Sequence, residues 1–159
     1  FTFPDLAEEC MGDSRYPEIA LTAIKTMLEH RGALSPWDPS GETPAQSGVL
    51  VRHLVLPGRV DNSLASLTAL HDNFGSDLPI SIMSQFRPTQ NCVKRGMFDH
   101  PLRREEYELV CDFADVLGFT NVYTQPEFGD PDFLPDFTQT QPFHGNRGAA
   151  GQSAGHGDH

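Results

Sequence analysis

Apolar positions along this chain keep two rhythms. In Val49–Leu56 and Leu78–Met83 they run almost unbroken, and a shorter stretch, Asn121–Thr124, centres on Val122 and Tyr123. Short runs rich in Val, Ile and Leu suit strands covered on both faces, as in parallel sheets. Between these runs the apolar residues return every three or four positions. Ala20, Ala23, Ile24, Met27 and Leu28 predict a helix over Pro17–Arg31, with Pro17 in its first turn and Gly32 as its stop. Leu64, Leu67, Leu70 and Phe74 predict a second helix, entered at Asn62 and ended at Gly75. Tyr107, Val110, Cys111, Ala114 and Leu117 predict a third over Arg103–Leu117, stopped by Gly118, with Cys111 a buried thiol on its core stripe.

The remaining stretches are ends and connections. Phe1–Leu6 reads as the end of a strand with Asp5 at its carboxyl side, followed by a loop through Glu8, Glu9 and Gly12. Ala33–Gly48 is a long Pro-, Gly- and Ser-rich connection holding Trp37, which reads as a packing anchor ahead of a lid. Ser84–Pro101 reads as irregular. Strands alternating with helices predict an α/β fold of parallel βα units. No further strands are available to close a barrel, so the expected sheet is open or is half of something larger. This part is assigned to residues 1–126. An acidic, Phe- and Pro-rich segment, 127–143, is expected to wrap it in extended form, and a Gly-rich tail, 144–159, to be disordered. His144, His156 and His159 in that tail have no rigid element to space them for a metal.

Charge and cysteine content narrow the function classes. A net charge of −11, with no basic stripe, excludes nucleic acid as a main partner, because phosphate neutralisation needs clustered Lys and Arg. No apolar run approaches the ~20 residues of a membrane helix. Cys10, Cys92 and Cys111 are widely spaced and form no Cys-x-x-Cys pair. That argues against a disulfide framework or a zinc site and favours a reducing, cytoplasmic setting.

The candidate chemistry starts from Arg52, which interrupts the apolar strand Val49–Leu56 together with His53. A guanidinium buried there is expensive unless an anion meets it. Period-2 alternation puts Arg52 and His53 on opposite faces, with His53 directed into the helix layer as a satisfied core histidine and Arg52 toward a ligand side. Its anion is a ligand carboxylate or phosphate, or else Asp5 on a neighbouring strand. Reactive groups in parallel βα folds gather at the carboxyl ends of strands, here Asp5, Arg52–Gly58, Ser84–Arg87 and Gln125. Gly58 ahead of a helix N-terminus is a further weak anion site. No nucleophile elbow, P-loop, dinucleotide fingerprint or His-Glu-x-x-His is present. The residues alone therefore point to an anion-binding parallel α/β domain.

The string Val49-Leu50-Val51-Arg52-His53-Leu54-Val55-Leu56-Pro57-Gly58 resembles a strand of radical S-adenosylmethionine (SAM) proteins of the group related to pyruvate formate-lyase activating enzymes. The resemblance continues through Ile82-Met83-Ser84-Gln85-Phe86-Arg87-Pro88, Arg104-Glu105-Glu106-Tyr107 and Phe133-Leu134-Pro135-Asp136-Phe137. Pro4-Asp5-Leu6 and Tyr16-Pro17-Glu18 fit the segment before these strings, so the likeness spans roughly residues 1–137. It implies the C-terminal half of a partial (β/α)6 barrel. It also implies a [4Fe–4S] cluster and SAM as cofactors. Reductive cleavage of SAM would give a 5′-deoxyadenosyl radical for hydrogen abstraction, with an electron donor and a protein substrate of glycyl-radical type as candidate partners. Arg52, Asp5 and Gln85 match positions that face the SAM cavity. The family's Cys-x-x-x-Cys-x-x-Cys loop is missing, and Ala7 stands where the family often places Lys. This chain alone therefore lacks cluster ligands and is expected to be inactive by itself. The alternative is a non-catalytic binding or interaction module built on half the barrel.

Overall fold

A computed structural model describes residues 1–40 and 42–125. The wrapping segment 127–143 and the tail 144–159 lie outside the described residues, as does the string Phe133–Phe137. The first element is a helix, α1 (Pro4–Met11), where the sequence suggested a strand end. Pro4 at its first turn, Asp5 beside it and the helix formers Ala7, Glu8 and Glu9 explain the outcome, and Gly12 ends the helix in the left-handed region with φ 75°. Then come α2 (Tyr16–Arg31), β1 (Val51–Leu54), α3 (Val60–Phe74), β2 (Ile80–Met83), α4 (Gln90–Arg95), α5 (Arg104–Leu117) and β3 (Val122–Tyr123).

The three strands form one parallel, open sheet in the order β1-β2-β3. Consecutive parallel strands joined by right-handed crossovers put their helices on one face, and α3 and α5 do pack against each other. Register then fixes the two faces. Val51 and His53 pair with Ile80 and Ile82, both completely buried. These point into a core of Val55, Leu67, Leu70, Tyr107, Val110 and Ala114. Arg52 and Leu54 pair with Ser81 and Met83 and share with Tyr123 the opposite face, which is helix-free among the described residues. The alternation read from the sequence, Arg52 away from the helices and His53 toward them, is the one observed.

The long connection from residue 33 to 48 is anchored at both ends. Ala33 bridges Val49, Ser35 bridges Ser47, and a Cβ on Gly48 (φ 108°) would overlap the Ala33 backbone. Trp37 is its packing anchor. The indole lies 4.3 Å from the Tyr123 ring at 44°, and the Tyr123 hydroxyl donates to the Asp38 carbonyl at 2.8 Å.

Candidate functional site at the carboxyl ends of the strands

Each strand is tied down where it ends. After β1 the chain turns through Leu56-Pro57-Gly58, and the Gly58 N–H donates to Glu106 Oε1 at 2.8 Å. Glu106 stands in the first turn of α5, only 9% exposed, and its other oxygen accepts from the Arg103 N–H at 3.0 Å. Burial pushes this carboxyl up, but the two backbone N–H groups and the Arg103 guanidinium outweigh burial and hold it below its ordinary range. Past β2, Gln125 Oε1 accepts from the Ser84 N–H at 2.6 Å and the Ser84 hydroxyl at 3.0 Å. Tyr107 links the two ends. Its hydroxyl donates to the Ile82 carbonyl at 3.1 Å and accepts from the Gln125 N–H at 2.8 Å. Burial pushes this phenol up to about 12, so it stays protonated as a fixed donor.

Against this frame the candidate residues separate. Arg52 sits in β1 on the helix-free face, exposed, with no hydrogen bond or ion pair among the described residues. The burial cost attached to it at the level of sequence does not arise, because its side chain is exposed among the described residues. Gln85 lies two residues past the end of β2, half-buried. Asp5 is corrected outright. It occupies the exposed first turn of α1, so it is neither a strand-end residue nor Arg52's counter-ion. His53 faces the helix layer, but its Nε2 is sealed from solvent without a partner, so it is not the satisfied core histidine expected. Its ring borders a cavity of about 130 Å3 beneath α2 and α3. Burial there pulls its pKa from 6.5 to about 4.

Sequence reasoning placed Tyr107 on a core stripe and Glu106 beside it but missed their roles at the strand ends, and it missed α4 altogether. A Glu three residues after the N-cap residue Arg103 is a legible helix-start signal, but its reach across to Gly58 is not. For α4 the signal was Thr89, whose hydroxyl accepts from the Cys92 N–H, with Gly96 as a left-handed stop.

The arrangement offers one exposed cation on an open sheet face, beside a rigid, hydrogen-bonded strand end. It can hold and orient an anion. Among the described residues no group of three or more His, Cys, Asp or Glu is placed to hold a metal, and no helix is long and apolar enough to cross a membrane. No family model, no curated protein and no solved structure matches this chain.

Proposed function

We propose that the chain is the C-terminal part of a radical SAM enzyme, its sheet belonging to a partial (β/α)6 barrel whose interior is the helix-free face. One observation carries the reading: Arg52 stands unpartnered among the described residues on that face, where a substrate carboxylate would meet it. A planar guanidinium fits the SAM carboxylate in a two-point contact. The strings that carry the family resemblance are also bonded to one another, Gly58 to Glu106 and Ile82 to Tyr107. This is what strings drawn from one working strand end would require.

The [4Fe–4S] cluster does not fit this chain. Cys10 lies on α1, Cys92 on α4 and Cys111 on α5, where it packs against the core, so no three thiolates converge. No step is routed through the cluster. On this reading the cysteine loop lies N-terminal to Phe1, and hydrogen abstraction from a substrate or protein partner belongs to the complete enzyme. The chain's own residues bind and orient SAM. On this reading Arg52 holds the carboxylate and Gln85, half-buried just past β2, is a second contact. A cytoplasmic setting belongs to the same proposal and rests on the three unpaired thiols. The scattered cysteines equally favour a second reading, a non-catalytic module on half a barrel.

Calorimetry of SAM against the isolated chain separates the two. The enzymatic reading expects binding that weakens roughly tenfold or more in Arg52→Met, the loss of one charge-assisted contact. Absence of heat, or undiminished binding by Arg52→Met, sinks it. An upstream coding sequence that is intact and lacks the cysteine loop would do the same.

A further inference from the structure

Away from Arg52, two cysteines line one groove. A cleft of about 250 Å3 is lined by Cys10 near the end of α1 and Cys92 in α4, with Leu56, Phe86, Phe98 and Arg95. Both thiols are half-exposed. Their surroundings differ. The Thr89 hydroxyl accepts from the Cys92 N–H at 3.3 Å and donates to Cys92 Sγ at 3.2 Å. That hydrogen bond, with the Arg95 guanidinium behind it, holds the Cys92 thiol below its ordinary range. Burial and the neighbouring Glu9 push Cys10 up, although Arg59 and Arg95 face it. Cys111 lies outside this groove against the core, also pushed up by burial, and serves as an internal control.

We propose that Cys92 and Cys10 form a thiol–disulfide exchange site for low-molecular-weight disulfides, with Cys92 attacking and Cys10 resolving. The Cys92 thiolate attacks one sulfur of a disulfide RSSR, making Cys92–S–SR and releasing RS⁻. Cys10 then gives its proton to solvent and attacks the Cys92 sulfur, closing a Cys10–Cys92 disulfide and releasing the second RS⁻. RSSR is reduced to two thiols and the two cysteines are oxidised. The thiolate is the attacking species, so the roles follow the two environments. The Arg95 guanidinium in the groove wall suits a disulfide whose substituents carry carboxylates. α4 has six residues between irregular segments on either side, so it is the element able to adjust to disulfide geometry.

The test uses the whole chain with glutathione disulfide at neutral pH, followed by alkylation, digestion and mass spectrometry. The expected product is a Cys10–Cys92 linked peptide with Cys111 alkylated. Cys10→Ser should stop at the Cys92–glutathione mixed disulfide. Cys92→Ser should leave Cys10 unreacted. Thr89→Val should slow the first step roughly threefold, because the thiolate fraction falls faster than its nucleophilicity rises. Three wild-type results would each overturn the assignment. These are glutathione on Cys10 and Cys92 without a linked peptide, Cys111 consumed as fast as Cys92, and no reaction at Cys92.

Discussion

Lowering the pH from 7 to 4.5 asks His53 to take a proton that the fold holds off. The ring projects from β1 into the helix side of the sheet, and its Nε2 is sealed there without a partner. Burial pulls its pKa from 6.5 to about 4. In the unfolded chain the same imidazole titrates near 6.5. Between these values the unfolded state binds more protons than the native state, so stability falls as pH falls. The contribution is intact above pH 6.5 and is spent as pH approaches 4. A gap of about 2.5 at 1.36 kcal/mol each gives about 3 kcal/mol in full, and about 2.5 kcal/mol already lost by pH 4.5. That is a large share of the roughly 5–15 kcal/mol typical of a domain. Asp38, held down to about 2, and Glu106, also lowered, add losses of the same sign. Those losses grow mainly below the usual carboxylate range, whereas burial also lowers the Phe1 amine, so the His53 share above pH 4.5 is read as a difference against His53→Leu. Urea unfolding from pH 7.5 to 4.5 on wild type and His53→Leu measures the difference directly. Wild type should lose about 2 kcal/mol more than the variant. An equal pH slope in both proteins, or a native His53 titrating near 6.5 by NMR, would refute the reasoning.

Three further outcomes follow from the same contacts. Glu106→Ala removes the acceptor of both the Gly58 and Arg103 N–H groups and should cost about 1–3 kcal/mol, with Glu106→Gln milder, read as urea midpoints at constant slope. Gly48→Ala drives a Cβ into the Ala33 backbone at a positive φ and should cost more than about 1 kcal/mol in thermal unfolding. Arg52→Met removes an exposed charge without a partner among the described residues and should leave stability within about 0.5 kcal/mol by the same urea assay, which separates a fold effect from the binding loss that the proposed function expects.

The sheet and its helices were legible because their signals are local. Apolar spacing placed α2 and α5 to within one residue, and alternation assigned the faces of Arg52 and His53, but α3 is capped at Arg59, three residues ahead of Asn62, which lies inside the helix and accepts from the Thr2 N–H. β1 came out shorter than the Val49–Leu56 run because the Val49 N–H donates to the carbonyl of Gly32, the stop of α2, instead of to a neighbouring strand. α1 was misread because Phe1-Thr2-Phe3 looks like strand, while the decisive signals, Pro4 at the first turn and Gly12 at the stop, are those of a helix. The site's frame was illegible for another reason. Glu106 bonds a residue 48 positions away and Gln125 one 41 away, and no local pattern encodes such partners. His53 failed in the same way. Alternation fixes where the ring points, but whether its nitrogen meets a partner is decided by packing.

Arg52 matters less for what it does to this chain than for what it demands of anything that covers it. The helix-free face carries Arg52, Leu54, Ser81, Met83 and Tyr123. Such a face is apolar enough to be worth covering and harmless to leave open at the arginine. An apolar surface laid over it would trap an unpaired guanidinium, at a penalty of several kcal/mol that burying two or three side chains barely offsets. Covering becomes favourable once the partner brings an anion to that one position. The arginine therefore selects against arbitrary apolar contacts and for a surface or ligand bearing a carboxylate or phosphate. An open parallel sheet whose second face takes a partner or ligand would need that discrimination, and a face filled only by aliphatic side chains would not supply it.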